Sequence, residues 1–332
     1  MSAFRALRVH RTDSGTETRL ESIGIDELGE GSVTIRVAYS SLNYKDALAV
    51  TGKGRIMRAF PRVAGIDLAG VVEASDAPAY APGDAVLVTG CNIGELLDGG
   101  LAERARVPTE AVIPLPAGLT LREAMAIGTA GFTAAFALRR MQENHQTPEH
   151  GPIAVTGPTG GVGSIAIDLF SRAGYSVSAI TGKAEQAGDY LRELGAGEVI
   201  DRHALELGSR PLESARWGGA VDNIGGEVLS WLLATTRPWG NVASIGLAAS
   251  HKLDATVMPL ILRGVSLLGI HSVECPRAWR EAIWQQLAGD WKPRHLDRII
   301  AREVTLDEVP AACEALIAGE VTGRTLVRVQ PE

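Results

Sequence analysis

Apolar and polar positions change their period partway along this chain. In the first 122 residues, Ala6-Leu7-Arg8-Val9 and Ser32-Val33-Thr34-Ile35-Arg36-Val37 alternate, as half-buried strands do. Leu68-Ala69-Gly70-Val71-Val72 and Ala85-Val86-Leu87-Val88 read as shorter apolar strands. Pro78, Pro82-Gly83-Asp84, Pro114 and Pro116-Ala117-Gly118 punctuate them. This predicts a small β-barrel-type domain with few helices. Thr120-Leu121-Arg122-Glu123 then has capping-box spacing ahead of the apolar run Ala124-Met125-Ala126-Ile127, and the domain boundary is expected there.

Beyond it, short apolar runs alternate with helical periods. Strands are predicted at Ile153 to Thr156, Ser176 to Ile180, Glu198 to Asp201, Gly219 to Ile224, Asn241 to Gly246 and Ser266 to Ile270. Strands separated by helices in this way make an α/β doubly wound, six-stranded parallel sheet. One intervening helix, Ala184 to Leu194, carries Ala187, Tyr190, Leu191 and Leu194 on one face. A further helix is predicted around Arg277 to Leu287. The tail then reads as strands at Ile299 to Val304 and Thr325 to Val329, flanking a helix at Asp307 to Ala318. It is expected to rejoin the first domain. The expected division is 1–122 with 292–332 for one domain and 123–291 for the other.

The chain is organised around Pro152 to Ser164. Ile153-Ala154-Val155 has strand character, and Gly157, Gly160, Gly161 and Gly163 turn the chain. Val162, Ile165, Ala166, Leu169 and Phe170 then fall on one helix face, which Gly174 closes. A strand, a glycine turn and a helix N-terminus form a seat for a pyrophosphate, because free N–H groups and the positive helix end point at it. Spaced glycines alone are weak evidence; the following strand at βαβ distance supplies the context. Thr159, Gly160, Gly161 and Val162 are the contact candidates. An NAD site wants a carboxylate at the end of the second strand for the ribose 2′-hydroxyl. Here the chain reads Thr181-Gly182-Lys183, a hydroxyl and a cation that suit a 2′-phosphate and hence NADPH. Alternatively Lys183 is a solvated surface lysine.

Composition narrows the classes. The chain has 332 residues, 45% of them hydrophobic and 21% charged, which suits two globular domains. A net charge of −7 argues against a nucleic-acid partner. Cys91, Cys275 and Cys313 show neither metal spacing nor a disulfide framework and fit a cytoplasmic setting. Residues 1–5 form no signal-peptide core, and the apolar stretch from Ala124 to Leu138 is too short to span a bilayer, so no membrane association is expected.

With these motifs read, the whole chain resembles the medium-chain dehydrogenase/reductase superfamily, and within it the zinc-independent, quinone-oxidoreductase-like branch that includes acrylyl-CoA reductases. The resemblance rests on Ser41 to Leu48, Pro61 to Gly70, Gly128 to Ala134, Val155 to Ser164 and Val257 to Val265. It implies a GroES-like catalytic domain beside a Rossmann domain, with the nicotinamide where the two meet. Zinc relatives carry Gly-His-Glu where Gly65-Ile66-Asp67 stands, and Ile66 cannot ligate a metal. The four-cysteine lobe is also missing, so no metal is expected.

Hydride reduction of an α,β-unsaturated thioester needs donors to the thioester oxygen and a proton for the α-carbon. The resemblance directs attention to Asn43, Tyr44 and Asp67. Asn43 either donates to that oxygen, positions the ribose or fills a turn. Tyr44 either donates its phenol hydrogen and touches the cofactor or is a packed aromatic. Asp67 holds a water or ligand hydroxyl, or pairs with an arginine such as Arg62. Thr129 and Thr133 face the nicotinamide by resemblance, or bond back to the helix backbone. Also by resemblance, Arg202 either joins Thr181, Gly182 and Lys183 at the 2′-phosphate or flanks the adenine. Asn223 lies near the ribose, Ile245, Gly246, Leu247, Ile270, His271 and Ser272 line the nicotinamide pocket, and Arg324 meets a pyrophosphate or CoA phosphate. His271 and Cys91 depart from the branch, whose members tend to carry Asp and Trp there. Cys91 is read as a small apolar residue, not a nucleophile.

The resulting expectation is NADPH-dependent reduction of acrylyl-CoA to propionyl-CoA. Arg55, Arg58 and Arg62 would hold the CoA phosphates, or else form a solvated loop. An NADPH:quinone reductase and a non-catalytic NADPH-binding protein are the alternatives. The apolar last strand, Val265 to Ile270, would be an unprotected edge in a monomer, so a homodimer is expected.

Overall fold

The β-rich opening and the alternating middle fold as separate units. The structure is a computed structural model that describes residues 3–330; Met1 and Ser2, part of the N-terminal stretch read above, lie outside the described residues. One unit comprises 1–129, 272–289 and 296–332, and the other 130–271 and 290–295.

In the first unit, β1 (Phe4–Thr12) and β2 (Gly15–Ile23) make a hairpin that β4 (Arg62–Val63) extends. The larger sheet has β3 (Val33–Leu42) and β5 (Asp67–Ser75) at its centre, with β6 (Ala85–Thr89) and β8 (Ile113–Pro114) beyond β5; β7 (Arg104–Val107) pairs with β3. The tail supplies β15 (Ile300–Val304) and β16 (Arg324–Arg328), and β16 pairs antiparallel with β3, Thr325 opposite Leu42. This seven-stranded sheet closes over Val33, Ile35, Val37, Leu68, Val86, Val88 and Val327, all of them buried. The alternation read from the sequence is the inward face of these strands. Helix α1 (Tyr44–Val50) follows β3, and α9 (Val309–Ile317) packs on it.

The second unit is the doubly wound sheet. Its strands are β9 (Ile153–Thr156), β10 (Val177–Thr181), β11 (Glu198–Asp201), β12 (Trp217–Asp222), β13 (Thr236–Ser244) and β14 (Ser266–Gly269). They are all parallel, in the order β11-β10-β9-β12-β13-β14. That is the dinucleotide-binding order, with the reversal beside β9. Helices α3 (Gly161–Arg172), α4 (Ala184–Glu193), α5 (Gly226–Thr235) and α6 (Met258–Arg263) connect them. The expected α/β class and six strands are as read, apart from β13. That strand begins at Thr236, ahead of Pro238 and Trp239, which disguise it as a turn.

Two features differ in detail from the expected division. The predicted capping box is present, with Thr120 N donating to Glu123 Oε2 at 2.9 Å and Glu123 N to Thr120 Oγ1 at 3.1 Å. However, α2 (Leu121–Glu143) runs through a kink at Gly128, and the unit division falls just after it. Helix α7 (Arg277–Ala288) belongs with the first unit rather than the second. The buried Arg280 explains why: its guanidinium donates to Thr89 O at 2.6 Å, Ser272 O at 2.8 Å and Val273 O at 2.9 Å. The short α8 (Leu296–Ile299) leads into β15. Among the described residues no helix is long and apolar enough to cross a membrane.

Candidate functional site

Two polar constellations stand out, one in each unit. In the first, strand ends and a helix kink gather around Asp67. Its carboxylate is fully buried and accepts from Ser41 Oγ at 2.8 Å, Asn43 Nδ2 at 2.8 Å, Thr129 Oγ1 at 2.6 Å and Thr129 N at 3.0 Å. Arg324 Nη2 stands 3.7 Å away. Gly128 makes this possible. At φ 51° and ψ −161° it breaks the helix, and a Cβ there would lie 2.6 Å from Arg324 Nη2 and 2.7 Å from Asp67 Oδ2. Thr129 thus starts a fresh helical segment whose first free N–H is capped by Asp67.

Arg324 is equally buried and fully used. It donates to Leu42 O and Asn43 Oδ1 at 3.0 Å, Ala126 O at 3.1 Å, Ser41 Oγ at 2.6 Å and Met125 O at 3.4 Å. Burial pushes its guanidinium below the ordinary value, and the charges of Asp67 and Asp46 oppose that shift. The expectation that Arg324 meets a phosphate is therefore corrected: its donors are consumed inside the sheet, and only 2% of the side chain is exposed.

Asn43 needs the same correction as a donor to substrate. One amide hydrogen goes to Asp67 Oδ2 and the other to Asp46 Oδ2 at 3.1 Å, while its oxygen accepts from Arg324. An amide with both hydrogens committed has none to offer. Asp67 does pair with an arginine, but it is Arg324; Arg62 lies 3.6 Å from Asp98 instead. Thr129 has its hydroxyl proton on Asp67, and Thr133, one turn on, is buried. Tyr44 is the exposed member of this cluster, with 46% of its surface accessible at the start of α1.

The sequence reading missed Asp46. It sits at the third position of α1, where its Oδ2 accepts from Asn43 N at 2.8 Å and its Oδ1 from Ile66 N at 2.9 Å. Burial, with the nearby Asp67 charge adding to it, raises its carboxyl to about 7. The signal was present as Asn43-x-x-Asp46, which has N-cap spacing. Cys91 is partly buried, and burial raises its thiol.

The second constellation is the glycine turn. Gly157 has φ 56°, and a Cβ on Gly163 would lie 2.3 Å from Gly157 O, so neither position accepts a larger residue. Helix α3 starts at Gly161, leaving Gly160, Gly161 and Val162 at its N-terminus beside the buried Thr159. Ser164 Oγ donates to Pro158 O at 3.1 Å and receives Tyr190 OH at 2.8 Å, which holds the turn from behind. Tyr190 is thus a packing residue of α4.

At the end of β10, Thr181 is buried and its Oγ1 accepts from Lys183 N at 3.1 Å. Gly182 is flanked by Arg202 Nη2 and His203 Nε2, which a Cβ would meet at 3.3 Å and 3.0 Å. His203 is a second residue the sequence reading missed. Its signal is its place just after β11, the strand beside β10. Across the sheet, Asn223 donates to Thr156 O at 2.7 Å, and Gly246 lies so close that a Cβ would be 2.2 Å from Asn223 O. Ile245 N donates to Asp222 O, and Asp222 takes Thr156 Oγ1 at 2.7 Å; burial raises its carboxyl. Leu247 and His271 are exposed and Ile270 is buried. Ser272 belongs to the first unit, where Arg280 holds its carbonyl. Arg55 and Arg58 are exposed in the loop after α1.

A seat for a dinucleotide pyrophosphate, with cations and no carboxylate at the tip of β10, fits a nicotinamide dinucleotide bearing a 2′-phosphate. Zinc does not fit. Ile66 is apolar, Asp67 is filled by donors, and among the described residues no three His, Cys, Asp or Glu side chains gather.

Two family models match this architecture: the alcohol dehydrogenase GroES-like domain over residues 29–117 and zinc-binding dehydrogenase over residues 161–288. Together they define a dehydrogenase of the GroES-like and Rossmann type. Acrylyl-CoA reductase AcuI of Ruegeria pomeroyi is 43% identical over 329 residues, covering 98% of this chain and 99% of that protein. The structure of Escherichia coli YhdH with bound NADPH is 44% identical with a TM-score of 0.94, covering 98% of this chain and all of that one. Bacillus subtilis YhfP, solved with NAD bound, is 43% identical with a TM-score of 0.96, covering 99% of this chain and all of that one. The chain belongs to the medium-chain dehydrogenase/reductase superfamily, in its quinone-oxidoreductase-like, acrylyl-CoA reductase branch.

Proposed function

We propose that this protein reduces the activated C=C bond of an α,β-unsaturated acyl-CoA, with acrylyl-CoA giving propionyl-CoA, at the expense of NADPH. Full-length identity of 43% to a protein named acrylyl-CoA reductase carries the reading. The cationic tip of β10 supports the choice of NADPH. Thr181, Gly182, Lys183 and Arg202 hold the 2′-phosphate, with His203 beside them, and Thr159, Gly160, Gly161 and Val162 face the pyrophosphate. Asn223, Ile245, Gly246, Leu247, Ile270 and His271 complete the ribose and nicotinamide surroundings within the second unit.

When bound, NADPH supplies a hydride, which adds to the β-carbon of the acyl group. Negative charge then moves to the thioester oxygen, and a proton at the α-carbon completes the saturated product. Tyr44, whose phenol reaches solvent, donates its hydrogen to that oxygen. Asn43, Asp67 and Arg324 are positioning residues; they fix the end of β3 and the start of α1, and so the place from which Tyr44 projects.

A cytoplasmic homodimer belongs to the same proposal. The three cysteines are free thiols, as a reducing compartment keeps them. Strand β14 ends its sheet, and Trp239, Val257, Ile261 and Leu262 in the same unit are each more than half exposed, an apolar surface that suits a second copy.

The test is NADPH oxidation with acrylyl-CoA and, separately, with a simple quinone. Turnover of acrylyl-CoA supports the proposal, and Tyr44→Phe then lowers kcat by about a hundredfold. Turnover of quinone alone makes the protein a quinone reductase. NADPH binding without turnover of either leaves a non-catalytic binding protein.

A further inference from the structure

The arginines of the first unit are not all spent in the same way. Around the β1–β2 hairpin and the loop after α1, most cations are already paired. Arg8 meets Glu21 at 3.4 Å, Arg19 meets Glu17 at 2.5 Å, Lys53 meets Glu314 at 2.6 Å and Arg62 meets Asp98 at 3.6 Å. Among the described residues Arg11 and Arg55 make no ion pair, although the chain holds 39 acidic against 32 basic residues. Both line one cavity of about 570 Å³. The hydroxyl-bearing Thr12 and Thr16 line it too, as does Phe60. The Arg11 guanidinium lies over the Phe60 ring, 5.0 Å from its centre, which holds a flat cationic fork in place on the cavity wall. One guanidinium fork held over a ring, a second arginine on the same cavity and two lining hydroxyls match the oxygens of a phosphate ester, and an aromatic wall suits a purine.

The cavity also sits at the right end of α1. Ala49 lines it, while Tyr44 stands at the other end of the same seven-residue helix. At about 1.5 Å rise per residue the two are separated along the helix by about 8 Å. The pantetheine arm of CoA is longer than that, so one molecule can place its thioester at Tyr44 and its phosphates in the cavity.

We infer that this cavity is the subsite for the phosphoadenosine end of the acyl-CoA, with Arg11 and Arg55 gripping its phosphates. The inference rests on the acyl-CoA reading and revises which arginines serve it. Arg62 is held by Asp98, and Arg58 does not line the cavity. Arg11 takes part from a strand 44 positions before Arg55 in the chain.

The experiment compares kcat/KM for acrylyl-CoA with that for the corresponding pantetheine thioester, which carries the same acyl group without the nucleotide. The wild-type protein is expected to prefer the CoA ester by about tenfold to a hundredfold, the worth of one or two charge-assisted contacts. In the double variant Arg11→Gln/Arg55→Gln that preference collapses towards unity, chiefly through KM. A wild-type preference that survives in the variant overturns the cavity assignment and leaves the acyl-CoA reading intact. Equal use of both thioesters by the wild type overturns it too, since no nucleotide subsite is then at work. Reduction of neither thioester is the separate result that sinks the acyl-CoA reading itself, and the subsite with it.

Discussion

Replacing Arg324 with Met should be among the most damaging single changes in the first unit. Methionine keeps much of the volume and removes the charge. Asp67 is then left fully buried without its cation, and Leu42 O, Met125 O and Ala126 O each lose a donor. At 3.7 Å and an effective dielectric of about 20, the lost Coulomb attraction is about 4 kcal/mol. Removing one partner of a buried pair typically costs about 3–5 kcal/mol, which is the expected loss here. With a urea dependence of about 2–3 kcal/mol per M, the midpoint falls by about 1–2.5 M. Amide exchange of β5 and β6 reports the first unit directly and should accelerate in step. Adding Asp67→Asn removes the uncompensated charge, so the double variant should be more stable than the sum of the two single effects. A loss below about 1 kcal/mol for Arg324→Met, or simple additivity in the double variant, would refute the view that these two charges hold each other in place.

Three further outcomes follow from the same geometry. Gly128→Ala places a methyl group about 2.6 Å from Arg324 Nη2 at a positive φ, so it should lower stability by more than about 2 kcal/mol; an unchanged melting temperature would show that the kink does not depend on glycine. Lys183→Ala with Arg202→Ala should raise KM for NADPH by about tenfold to a hundredfold while leaving NADH use nearly unchanged, and an equal effect on both cofactors would remove these residues from the 2′-phosphate. Asp46 has its folded-state carboxyl raised from 3.8 to about 7, so between those values the folded protein binds a proton that the unfolded chain has lost. Its contribution therefore falls as pH rises from about 4 to 7; Asp46→Asn should flatten that part of the stability profile, and an unaltered slope in urea titrations across this range would contradict the assignment.

The sheet of the second unit was legible because most of its strands are short runs with an apolar centre bounded by glycine or a helix start. Only β13 was blurred, by Pro238 and Trp239 at its beginning. The glycine turn could be read from its glycines: Gly157 holds a positive φ of 56°, and Gly163 sits where backbone lies within 3 Å of an added Cβ. The Asp67 cluster was half legible. Asn43, Tyr44 and Asp67 were picked out, but their division of labour was not. Arg324 opens a strand between Gly323 and Thr325 and reads by resemblance as a phosphate contact, yet its partners lie 198 to 283 positions away, brought to it by the pairing of β16 with β3. Local pattern carries no record of such a distant partner. Arg62 was assigned towards Asp67 for want of the same information, since Asp98 is 36 positions on and meets it only in the folded unit. The grouping of α7 with the first unit likewise turns on Arg280 reaching back to Thr89.

The most direct test of the central claim is where the hydrogen goes. The purified protein is given acrylyl-CoA with NADPH carrying deuterium at C4, and the propionyl-CoA formed is analysed by mass spectrometry and NMR. Deuterium at the β-carbon, with solvent hydrogen at the α-carbon, is the predicted result. Deuterium at the α-carbon, or no propionyl-CoA while a quinone is reduced, would contradict it.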